Sequence, residues 1–147
     1  TDNQRSWDGH HDILGNHTQF AGETDQPVAG LLADLDQRGL LNETLVIWCG
    51  EFGRLPVAQK AQKPGRDHNP HCLSLWMAGG GIRGGVTYGE SDELGYKAVV
   101  DRVHVNDIHA TILHQLGIEH TQLTYRHNGR DYRLTDVGGK VLKAVVA

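Results

Sequence analysis

Residues 44–49, Thr44-Leu45-Val46-Ile47-Trp48-Cys49, form an unbroken apolar run between Asn42-Glu43 and Gly50. A strand with one wet face alternates apolar and polar side chains. A run without alternation fits a strand covered on both faces, as in a parallel sheet under helices. Residues 72–78 repeat the pattern and are closed by Gly79-Gly80-Gly81, while 86–88 and 97–100 read as short edge strands. Helical spacing appears on either side. Over residues 23–39, Pro27 suits a first helical position, Val28, Leu31, Leu32 and Leu35 fall at i, i+3, i+4 and i+7, and Gly39 is the stop. A second helix starts at Asn106 as its cap, with Ile108, Ile112, Leu113 and Leu116 on one face and Gly117 ending it. A polar loop spans 50–69, a hairpin is expected over 123–134 around Asn128-Gly129, and a last helix over 136–147, weakened by Gly138-Gly139. The alternation predicts an α/β fold with a partly parallel sheet and helices on both faces. Leu45, Ile47, Leu73, Leu75 and Met77 should lie in adjacent parallel strands, under Val28, Leu32, Leu35, Ile112 and Leu116.

Several function classes are disfavoured at once. The 147 residues suffice for one domain with a core, and the charge of −4 offers no basic excess for tracking a phosphate backbone, so nucleic acid is not an expected partner. The longest apolar stretches, 44–49 and 141–147, are far too short to span a membrane. Two cysteines, Cys49 and Cys72, make no disulfide framework.

Ten histidines against 14 lysines plus arginines point instead to imidazole chemistry. Three clusters stand where an α/β sheet places its sites, beyond strand ends. Asp8-x-His10 in an extended segment puts both side chains on one side, which suits joint coordination of a cation, or a solvated turn. Gly50-Glu51-Phe52-Gly53-Arg54 follows the strongest strand; Glu51 reads as a crevice-floor ligand or as an acid paired with Arg54. Arg54 reads as a clamp for a tetrahedral anion, or as the balance to Glu51. Gly65-Arg66-Asp67-His68-Asn69-Pro70-His71 gives one loop three ligand types in Asp67, His68 and His71, although Asn69-Pro70 is also a turn signal. Carboxylates and imidazoles from three loops favour a metal site. Gly79-Gly80-Gly81 with Gly84-Gly85 lacks the lysine and hydroxyl of a phosphate loop and reads as tight bends. His109 and His114 read as structural or surface residues, and His120 and His127 carry no spacing argument.

The motifs Trp7-Asp8-Gly9-His10, Glu23-Thr24-Asp25-Gln26-Pro27, Gly50-Glu51-Phe52-Gly53-Arg54 and Gly65-Arg66-Asp67-His68 run in order through the chain. Trp76-Met77-Ala78-Gly79-Gly80-Gly81, Asp107-x-His109-Ala110-Thr111-Ile112-Leu113 and Arg130-Asp131-Tyr132-Arg133-Leu134-Thr135-Asp136 continue the series. Together they resemble a sulfatase-like bacterial family, domain of unknown function 1501, in the alkaline phosphatase superfamily. The resemblance implies a parallel sheet between helices and a metal-dependent hydrolase of sulfate or phosphate esters, in proteins longer than this one and often exported. Residues 1–147 would then be the carboxyl-terminal part of such a domain. The implied ligands of a divalent ion, zinc or calcium, fall on Asp8, His10, Glu51 and His68, with Arg54 as anion clamp. The implied partner is a sulfated or phosphorylated small molecule or glycan. Four positions depart from the pattern: Glu51-Phe52 stands for an aspartate-histidine pair, and Asn69 and Gly138 each replace a histidine. The superfamily's nucleophile has no counterpart here, so the chain alone is expected to be inactive. A non-catalytic metal- or glycan-binding protein is the alternative.

Overall fold

The computed structural model describes residues 6–60 and 62–147. A long helix, α1 (Ile13–Gln37), leads through a 3-10 turn at Leu41–Glu43 into β1 (Val46–Trp48), β2 (Gly53–Arg54), β3 (His68–Asn69) and β4 (Trp76–Ala78). Then come β5 (Glu90–Ser91), β6 (Ala98–Val100), α2 (Val105–Gln115) and the hairpin β7 (Thr124–His127) and β8 (Arg130–Arg133).

The expected α/β architecture, a partly parallel sheet with helices on both faces like that of alkaline phosphatases and sulfatases, is not what forms. Among the described residues the strands make two-stranded antiparallel ladders: β1 with β4, β2 with β3, β5 with β6 and β7 with β8. The two apolar runs do become neighbours, with Val46 opposite Ala78, Ile47 opposite Met77 and Trp48 opposite Trp76. Their direction is the error. Parallel neighbours need a crossover element between them, usually a helix. The described residues between β1 and β4 contain no helix, only the short β2–β3 ladder, so the chain returns antiparallel.

Burial is correspondingly shallow. The side chains of β1 and β4 are half-buried, Leu73 is exposed, and Leu116 is 65% exposed. Among the described residues the buried apolar positions are Ala110 and Leu113 on α2. The chain exposes 10617 Å², where a closed monomer of 16.2 kDa exposes about 7,500 Å².

The helices depart from expectation at their ends. α1 begins ten residues before position 23, capped by Asp12, whose carboxylate accepts the Gly15 N–H at 3.3 Å. Pro27 therefore sits inside the helix, where its missing N–H leaves one carbonyl a turn earlier without its bond. Gly39, at φ 69°, ends the helix as expected. At α2 the cap is His104, not Asn106: its Nδ1 accepts the Asn106 N–H at 3.2 Å, and Asp107 reaches back to the His104 N–H at 2.9 Å. The last helix does not form. Gly138 and Gly139 make helix initiation costly by about 1 kcal/mol each, and residues 136–147 run as turns and an extended tail that bridges Val146 to Ile82. Residues 86–88 are no strand either; the edge pair is β5 with β6. The 128–129 turn is as read, with Asn128 and Gly129 both at positive φ in a two-residue loop. The Gly79–Gly81 bend is also as read, since a Cβ at Gly79 would strike the carbonyl oxygens of Leu41 and Thr44. No helix among the described residues is long and apolar enough to cross a membrane.

Candidate metal centre

Three segments lie side by side at one end of α1. The segment preceding the helix, residues 9–12, runs against residues 63–66: Arg66 N–H donates to Gly9 O at 2.9 Å, Asp12 N–H to Lys63 O at 3.0 Å, and His11 bridges Pro64. On the other side β2 pairs with β3, with Gly53 opposite Asn69 and Arg54 opposite His68, and Leu55 N–H donates to Asp67 O at 2.8 Å. Glycine makes the close approach possible. Gly65 is buried, and a Cβ there would fall on the backbone of His10. Trp7, at φ 66°, anchors the entry by packing its ring on His17, Phe20 and Trp48.

This framework brings three ligand atoms to one point. Asp8 Oδ1, His10 Nε2 and His68 Nε2 form a triangle with every side 3.1 Å. Among the described residues they are the group of acids, histidines and cysteines placed to hold a metal ion. The surroundings fix each member. His10 Nδ1 lies 3.0 Å from Gln59 Oε1, an acceptor that can take the Nδ1 proton when Nε2 faces a cation. Asp67 Oδ1 is 3.6 Å from the same Nδ1 and accepts the His68 N–H at 2.8 Å. The Phe52 ring lies over that of His68, centroids 4.0 Å apart. The half-buried guanidinium of Arg54 donates through NH2 to Asp8 Oδ1 at 2.6 Å and to Trp7 O at 3.1 Å, and through NH1 to Arg66 O at 3.1 Å. Hydrogen bonds from Arg54 first, then from His68, hold the Asp8 carboxyl at about 2, well below the usual carboxylate range. Asp8 is therefore anionic at any ordinary pH, as a ligand must be.

Of the residues singled out in the sequence, Asp8, His10 and His68 converge. Glu51 does not join them: it is exposed, in the loop between β1 and β2, one residue before Phe52. Arg54 is at the site, but its ion pair is with Asp8 and not with Glu51. His71 is exposed and lines a different cavity. Gln59 and Phe52 carry no sequence signal of their own, because a glutamine in a polar loop looks like any other. Gly65 is visible only as the glycine opening a motif.

No curated protein and no solved structure matches the chain. One family model, described as a protein of unknown function (DUF1501), matches residues 2–146, nearly the whole chain, and the chain belongs to that family.

Proposed function

We propose that Asp8, His10 and His68 hold a divalent cation, zinc before calcium, and that the chain is the metal-binding part of a hydrolase acting on sulfate or phosphate esters. The triangle of 3.1 Å sides carries the reading. Tetrahedral zinc with bonds of about 2.0 Å separates its ligands by about 3.3 Å, close to the spacing found. Calcium takes six to eight oxygens, and two imidazoles argue against it. Three protein ligands leave one position for substrate or water, the pattern of catalytic rather than structural zinc.

A cation there would polarise an ester oxygen and stabilise charge developing on it. The chain's own residues do the rest. Arg54 fixes the Asp8 carboxylate, Gln59 and Asp67 orient His10, and Phe52 covers the His68 ring. The reaction class comes from the motif resemblance to the alkaline phosphatase superfamily. The antiparallel ladders lend it no support. In this reading the attacking group is supplied from outside the chain. Aryl sulfate and aryl phosphate hydrolysis should be negligible for residues 1–147 and present in a longer protein containing them, falling at least about a hundredfold on His68→Ala. Hydrolysis indifferent to His68→Ala would overturn the proposal.

A further inference from the structure

Immediately after β3 the chain enters the wall of a second cavity, of about 620 Å³. Its polar lining is His71, Lys97, Arg102 and His104, its apolar lining includes Val99 and Val103, and no carboxylate lines it. In a chain of net charge −4 this is a local reversal of sign. Neither Lys97 nor Arg102 takes part in an ion pair among the described residues. Two nearby acids are engaged by backbone instead: Asp92 accepts N–H groups of Tyr96, Lys97 and Leu94, and Asp107 those of His104 and Lys140; Asp101, which precedes Arg102 in the chain, is exposed and does not line the cavity.

The walls are tied together from beneath. Asn69 is fully buried; its amide donates to Gly95 O at 3.2 Å and Tyr96 O at 3.1 Å, and its Oδ1 accepts the His71 N–H at 3.1 Å. Ala98 N–H donates to His71 O at 3.0 Å. His104 is held by its capping role, which occupies Nδ1 as an acceptor and assigns the ring proton to Nε2. The lining thus offers two permanent cations and an imidazole N–H beside two valines. The guanidinium fork matches the oxygens of a tetrahedral anion.

We propose that this cavity binds a phosphate or sulfate group carried on an apolar or ring-shaped body. Its place suggests a use. His71 is three residues past His68, so their Cα atoms are at most about 11 Å apart. A molecule with one oxyanion anchored here can present a second ester to the Asp8–His10–His68 triangle. That use rests on the hydrolase reading; the binding itself does not.

The test is a titration of residues 1–147 in excess chelator with phenyl phosphate, phenyl sulfate and inorganic phosphate, with benzyl alcohol as the neutral probe, followed by amide chemical shifts. Saturable binding of phenyl phosphate or phenyl sulfate is expected, with shifts at residues 71 and 97–104 and none with benzyl alcohol. Whichever ester binds identifies the oxyanion. Lys97→Gln with Arg102→Gln, both at exposed positions, should weaken it at least about tenfold. Val99→Glu, which puts a carboxylate on the wall, should abolish it. His68→Ala should leave it unchanged, which separates this site from the triangle. No saturable binding of either ester, equal binding by the double variant, loss on His68→Ala, or inorganic phosphate binding as tightly as the esters would each overturn the proposal.

Discussion

Arg54 and His68 face each other across the β2–β3 ladder, and both reach the same atom, Asp8 Oδ1, at 2.6 and 3.1 Å. A two-residue ladder thus sets the separation of a positioning cation and a ligand imidazole, with the carboxylate between them. Arg54 spends NH2 on that oxygen and on Trp7 O, and NH1 on Arg66 O, so its first task is to hold Asp8.

Arg54→Gln should therefore weaken zinc binding by about 10–100-fold, the usual effect of removing a partner that orients a ligand. The fold should survive, since β2–β3 pairs through backbone. Competition titration against a chromophoric chelator reads the affinity, and far-UV circular dichroism reads the fold. Affinity unchanged by Arg54→Gln would detach the arginine from the metal centre.

Gly65→Ala tests the close approach. The new methyl would collide with the backbone of His10 and push residues 64–68 away from residues 8–12. A loss of about 2–4 kcal/mol in urea unfolding is expected, as for other overpacked sites, together with loss of zinc binding. Gly84→Ala, with nothing within 4 Å of its Cβ, is the control and should change little.

The core prediction separates α2 from the β1–β4 pair. Leu113 is 7% exposed, and Leu113→Ala should cost about 2–4 kcal/mol. Ile47 is only half-buried, so Ile47→Ala should cost about 1–2 kcal/mol, less than a strand covered on both faces would lose. A larger loss at Ile47 than at Leu113 would contradict the burial described.

These contrasts show what was legible in the sequence. Ile47 and Met77 could be read as neighbours because their runs are apolar, but an apolar run carries no information about strand direction. Direction depends on what lies between, and residues 50–69 read only as a polar loop. Local chemistry was more legible: Asn128-Gly129 and Gly39 are conformational demands that a residue states by itself. The start of α1 was not, since residues 13–22 hold Gly15 and Gly22 and little apolar periodicity. At the site, Asp8, His10 and His68 were readable as ligand types. Glu51 reads from sequence as a stronger candidate than Asp8-x-His10, because sequence shows that a carboxylate follows a strand and not which way the loop turns it.

Acid stability should report on Asp92. Backbone N–H groups of Tyr96, then Lys97 and Leu94, hold its pKa below the ordinary value. A lowered folded pKa means that the unfolded chain binds more protons, so this contribution is full above the unfolded value, near 4, and disappears as pH falls through the folded one. The urea midpoint should fall between pH 5 and pH 3, and Asp92→Asn should fall less over the same range. An identical pH dependence in both proteins would show that the carboxylate does not hold the loop.

The central claim is that three side chains from two segments of the chain bind one ion. Isothermal titration of metal-free protein with zinc, checked by elemental analysis after dialysis, addresses it most directly. One zinc per chain is expected, with affinity lost by about a hundredfold or more in Asp8→Asn, His10→Ala and His68→Ala separately, and retained in His71→Ala and Glu51→Gln. No stoichiometric zinc, or zinc that remains after His10 and His68 are both replaced by alanine, would contradict the account.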